Sequence, residues 1–95
     1  MKISTLIVDD EPLARDRVKR FLRDEHDIKI VGECGNGREA VAAIREQKPD
    51  LVFLDIQMPE KNGFEVVKAL DERVMPAVIF VTAYDQYALQ AFDVH

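Results

Sequence analysis

Short β-branched runs alternate with amphipathic stretches along the chain, and that alternation leaves few folds open. Ile3–Val8 and Leu51–Leu54 have the length and residue types of buried strands, Ile28–Cys34 reads as a strand with some alternation, and Ala77–Val81 as a strand that is apolar throughout. Between them, Pro12–Asp24 carries Leu13, Val18, Phe21 and Leu22 at helical spacing, with Arg and Lys opposite. Arg38–Gln47 places Ala40, Val41 and Ile44 on one face, and Phe64–Arg73 does the same with Phe64, Val67 and Leu70. Ala83–His95 begins a further helix with Leu89 and Phe92 as core candidates. Pro12 suits a first helical turn, where its missing N–H is no loss. Gly35-Asn36-Gly37, Pro49-Asp50, the loop Ile56–Asn62 with its Asn62-Gly63 turn, and Pro76 punctuate the elements. The order β-α-β-α-β-α-β-α predicts a parallel sheet covered by helices on both faces, with right-handed crossovers.

Two of the strands end on carboxylates. Asp9 and Asp10 close the first, and Asp55 closes the third. Ligands of open parallel sheets bind beyond the C-terminal strand ends, where strand order reverses. If these two strands are neighbours, three acids share one crevice. Like charges that close shift one another's pKa or call for a cation. A hard divalent ion with oxygen ligands is the natural match.

Composition excludes other classes. The 95 residues make one domain, and a hydrophobic content of 47% supports a core and rules out a disordered chain. A net charge of -5 argues against direct nucleic-acid backbone binding. The single cysteine, Cys34, forms no internal disulfide and reads as a packed thiol in a reducing compartment. There is no stretch for a membrane span and no signal-peptide core, so the expected location is cytoplasmic. His26 reads as a surface residue, and neither it nor His95 lies near an acidic cluster in sequence.

Asp9-Asp10 after the first strand, Asp55 after the third, Met58-Pro59 and Gly63 in the following loop, and Thr82-Ala83 after the fourth occur in order along the chain. In this the sequence resembles the receiver domain of two-component response regulators. Val8-Asp-Asp-Glu-Pro-Leu-Ala-Arg15 and Val81-Thr-Ala-Tyr-Asp-Gln-Tyr-Ala88 resemble more narrowly the receivers of LytTR-type (LytR/AlgR) transcription regulators. The resemblance implies a flavodoxin-like doubly wound α/β sheet in the order 2-1-3-4, with the fifth strand and helix missing.

It also implies roles. Asp55 becomes the phosphoacceptor, a carboxylate that attacks phosphorus in line to form an acyl phosphate. Thr82 becomes the switch hydroxyl and Ala83 the small residue beside the phosphoryl group. Asp10 and Asp55 become direct metal ligands, Asp9 acts through water, and Gln57 offers its backbone carbonyl. Mg²⁺ is the implied ion and Mn²⁺ a substitute. Gln57 and Tyr84 take the positions that tune dephosphorylation, while Tyr87 reads as packing. Pro59 and Gly63 shape the Asp55 loop, Gly63 through a positive φ or a close backbone approach. Glu11 reads as a helix N-terminal cap. The basic face made by Arg15, Arg17, Lys19, Arg20 and Arg23 reads as solvated, and in the family this helix helps dock a sensor histidine kinase.

The sequence departs from the family in lacking the lysine that follows the fifth strand and the aromatic residue before it. Asp93-Val94-His95 carries no helix stop signal, so the expectation is a receiver over residues 1–95 that is truncated at its C-terminus. The apolar run Ala77–Val81 has no later strand beside it, which predicts a homodimer formed by element exchange or edge pairing. Transcriptional output would belong to a longer parent. The chain is expected to be an autocatalytic phosphoacceptor at most and not an enzyme on external substrates. A non-catalytic assembly fragment is the alternative. A haloacid-dehalogenase-type phosphatase is a weaker one, because it needs a second Asp where Gln57 stands.

Overall fold

Four parallel strands, β1 (Ile3–Val8), β2 (Ile28–Cys34), β3 (Leu51–Asp55) and β4 (Ala77–Val81), form one sheet in the order β2-β1-β3-β4. This computed structural model describes residues 2–81. The helices are α1 (Pro12–Phe21), α2 (Gly37–Gln47) and α3 (Gly63–Ala69), followed by a short 3₁₀ turn at Glu72–Val74. The sheet is parallel as the alternation predicts, and its order is the flavodoxin-like 2-1-3-4 that the resemblance implies.

Register places the ends of the strands. Thr5 lies opposite Leu51 and Val8 opposite Leu54, so the next residues along, Asp9 and Asp55, leave the sheet side by side. At the other end Asp50 staples three strands together. Its carboxylate accepts from the Ser4 N–H at 3.0 Å and the Ser4 hydroxyl at 3.1 Å. Its own N–H reaches the Ser4 carbonyl at 2.9 Å, and its carbonyl accepts from the Ala77 N–H at 3.0 Å.

Leu6, Val8, Val52 and Leu54 point to one face, where Ala40, Val41 and Ile44 of α2 and Val66 of α3 complete the core. Val66 is fully buried although the spacing had singled out Phe64, Val67 and Leu70. Phe64 is instead half-buried and tilts against Phe80 of β4, ring centroids 4.9 Å apart. Cys34 is buried in the main cluster as expected, and burial pushes its thiol up to about 11.

The largest departure is α1. Leu13 is 73% exposed and Phe21 82% exposed among the described residues, so neither belongs to the core that the spacing predicted. The half-buried stripe is Ala14, Arg15, Val18 and Lys19, and it continues to buried Leu22. Leu13 and Phe21 each sit one residue, about 100° of helix rotation, off the line through 14, 18 and 22. The helix also ends at Phe21 instead of Asp24, and Leu22 closes it by donating to the Val18 carbonyl.

Helix starts follow local side-chain chemistry. Asn36 accepts from the Glu39 N–H to cap α2. Asn62 and Glu65 form a reciprocal capping box on α3, so Asn62-Gly63 is a helix entry and not a free turn. The expected helix through Arg73 breaks at extended Leu70, and Asp71 accepts from the Arg73 N–H to start a separate turn. No helix among the described residues is long and apolar enough to cross a membrane.

Ile44 is completely buried between α2 and the sheet. Ile44→Ala is expected to lower unfolding free energy by about 2–5 kcal/mol, read from urea denaturation midpoints at constant slope.

Candidate functional site

At the C-terminal ends of β1 and β3 the chain must turn sharply, and each turn is tied by a carboxylate. Asp9 Oδ1 accepts from the Glu11 N–H at 2.9 Å, and Asp55 Oδ1 accepts from the Gln57 N–H at 3.2 Å. Such Asx-type bonds hold each acid over its own loop. Asp9 is buried, Asp55 half-buried and Asp10 exposed, and each offers a carboxylate oxygen within 4.8 Å of the others. The sheet thus unites the three acids that the sequence singled out.

Their proximity has an electrostatic consequence. Asp55 is raised to about 7, first by burial and then by the charge of Asp9, against the opposing Gln57 N–H. Asp9 is also raised, first by burial, with the Glu11 N–H opposing and the charges of Asp10 and Glu11 adding. A proton or a cation relieves the crowding. Oxygens sharing a six-coordinate Mg²⁺ at about 2.1 Å lie about 3 to 4.2 Å apart, close to the spread observed here. The residues present therefore fit a small divalent ion.

These acids line a crevice of about 310 Å³ together with Gln57, Val81 and the α1 residues Ala14, Arg17 and Val18. Arg17, expected on a solvated face, is a wall residue. Its spacing of three from Ala14 and next to Val18 was the available signal. Glu11 also lines the crevice. It occupies the N-cap position of α1, but its side chain makes no capping bond, and its own N–H is bound by Asp9. Nor is the basic face merely solvated: Arg15 and Lys19 both bind Glu33, at 3.1 and 3.0 Å.

The loop after Asp55 is anchored by buried Met58 and turned tightly at Pro59, whose carbonyl accepts from the Lys61 N–H at 2.7 Å while Glu60 adopts a φ of 68°. Gly63 donates to the Ile56 carbonyl at 2.9 Å. A Cβ on Gly63 would stand 2.5 Å from the Asp55 carbonyl oxygen, and its φ is not positive. Of its two predicted uses, the close backbone approach is the one found. Thr82, Ala83, Tyr84 and Tyr87 lie outside the described residues, as do Leu89, Phe92 and His95.

Residues 5–95 match the family described as the response regulator receiver domain. The chain belongs to that family. This receiver is 50% identical over 93 residues to the transcriptional regulatory protein BtsR of Escherichia coli K12, covering 98% of this chain and 39% of that one. It is 48% identical over 91 residues to a response regulatory protein of Vibrio cholerae, covering 96% and 38% respectively. The receiver thus spans about two fifths of the curated relatives it matches. Among solved structures, the response regulator domain of Thermotoga maritima CheB superposes with a TM-score of 0.78 at 35% identity, covering 95% of this chain and 72% of that one. A chain of the CheX–CheY–BeF3–Mg complex of Borrelia burgdorferi gives 0.78 at 28% identity, covering 92% and 66%.

Because folding raises the Asp55 pKa, the folded receiver binds its proton more tightly than the unfolded chain does. Wild-type stability is therefore expected to fall, relative to Asp55→Asn, as pH climbs from about 4 to about 7, with no further divergence above. Urea midpoints of both proteins across that range check the sign; parallel curves would contradict it.

Proposed function

We propose that this receiver accepts a phosphoryl group from a sensor histidine kinase onto Asp55 in a Mg²⁺-dependent reaction. The observation that carries the reading is the junction of Asp9, Asp10 and Asp55 at the C-terminal ends of adjacent strands, with Asp55 raised by burial and by Asp9. An Asp55 carboxylate oxygen attacks phosphorus, forming the O–P bond as the P–N bond to the donor histidine breaks. The electron pair leaves on the imidazole nitrogen. Asp10 and Asp55 would hold the metal directly, Asp9 through water, and Gln57 through its backbone carbonyl. When bound, Mg²⁺ supplies charge neutralisation for the phosphoryl oxygens. Mg²⁺ in the solved Borrelia complex supports this choice of ion.

The rest of the chemistry is positioning by the chain itself. The Gln57 N–H holds one Asp55 oxygen, leaving the other to react. Gly63 leaves room for the Asp55 carbonyl that a Cβ would displace, and its N–H ties the loop to the Ile56 carbonyl. Thr82 and Ala83 keep the roles that the resemblance implies, donating to the phosphoryl oxygen and leaving room for it. Gln57 and Tyr84 tune the return reaction. The receiver acts on itself and on no external substrate. By likeness to the transcriptional regulatory protein BtsR, it controls a transcription-regulating output in a longer protein, and the resemblance of Val8–Arg15 and Val81–Ala88 favours a LytTR-type one.

Incubation with Mg²⁺ and acetyl phosphate is expected to add one phosphoryl mass to the intact protein, and none to folded Asp55→Ala or in excess chelator. An unmodified wild type would overturn the reading. The reading extends to a homodimer paired along β4, which ends the described sheet and leaves Ile79 46% exposed. Small-angle scattering should then give twice the monomer mass, and a monomer at high concentration would dismiss the pairing.

A further inference from the structure

The main chain of Asp9 is gripped from two sides. Its N–H donates to the Cys34 carbonyl at 3.0 Å, and its carbonyl accepts from Arg15 Nη1 at 2.6 Å. Arg15 is itself fixed, because its Nε donates to Glu33 Oε1 at 3.1 Å on β2. The other Glu33 oxygen accepts from Lys19 Nζ at 3.0 Å, one turn further along α1. Only 20% of the Arg15 side chain is exposed.

We propose that Arg15 is a positioning residue for the metal and phosphoacceptor crevice, acting through the Asp9–Asp10 peptide; this rests on the function proposed above. The Asp9 carbonyl and the Asp10 N–H belong to one rigid plane. The bond from Arg15 therefore sets the direction in which Asp10 leaves β1, and with it the place of the Asp10 carboxylate. A planar guanidinium suits the task, since it presents separate donors to a carbonyl and a carboxylate at a fixed angle. Lysine has the charge but not the fork.

Charge placement points the same way. Arg15 bonds the carbonyl of Asp9 and not its carboxylate, while Glu33 neutralises the guanidinium from behind. The Arg15 guanidinium is thereby kept from competing with a metal for the acids. Glu33→Gln removes that restraint.

The test is Mn²⁺ binding to the full 95-residue chain, read by electron paramagnetic resonance of the free ion, with circular dichroism and urea denaturation of each variant. Arg15→Met is expected to weaken Mn²⁺ binding about tenfold or more, as loss of an outer-shell partner commonly does. Arg15→Lys should fall between the two, Glu33→Gln should weaken binding, and exposed Arg20→Met should match the wild type. A plain helix staple would lower the urea midpoint of Arg15→Met and leave its Mn²⁺ affinity unchanged, which overturns the proposal. Should Arg15→Met fail to fold, wild-type affinity in both Arg15→Lys and Glu33→Gln overturns it equally. A wild type that binds no Mn²⁺ overturns the metal reading itself, and this inference with it.

Discussion

The lateral register of β1 against β3 is the constraint from which the crevice follows. Side chains alternate along a strand, so a slip of one residue would turn every core residue of β1 toward the wrong face. It would also part Asp9 from Asp55. The register is held at the start of the strands and along their length by different means. At the start of the strands, Asp50 binds Ser4 through both backbone and side chain. Along them, Leu6 and Val8 are locked beside Val52 and Leu54 in the α2–α3 core. Hydrophobic burial, which has no chemistry of its own, thus decides that three acids meet.

Bringing acids together opposes folding, and the backbone offsets part of that cost. The Glu11 and Gln57 N–H groups each stabilise the charged form of one acid, though less than burial destabilises it. The remaining strain makes the crevice receptive to a cation or to partial protonation near neutrality. The same logic explains why cations of α1 stand around the acids and not upon them. Arg15 and Lys19 are occupied by Glu33, and Arg17 lines the wall.

Strand positions were legible in the sequence almost to the residue, because β3 up to Leu54 and β4 are continuous apolar runs and β1 and β2 are rich in β-branched residues, each bounded by polar or turn residues. The three acids were legible for the same reason: they terminate such runs. Helix faces were harder to read. In α1 four apolar residues are compatible with more than one stripe, and the sheet selects the one through Ala14 and Val18, a choice that no periodicity encodes. Val66 is not singled out by spacing because neighbouring Val67 fits a helical pattern equally well. Arg15 could not be assigned, because the Asp9 carbonyl and Glu33 that fix it come together only when β1 and β2 pair. Gly63 was legible as a special position, but its close approach to Asp55 became visible only with the loop in place.

Cys34 carries a practical consequence. Its thiol is buried in the α2 core, and that burial pushes it up to about 11, so the thiolate is scarce near neutrality. Maleimides and other thiol reagents attack the thiolate, and this one is both scarce and shielded. Since the sequence has no other cysteine, a thiol introduced on the surface would be the sole reactive handle. Dyes or spin labels could then report on the crevice without first removing a residue that the core needs.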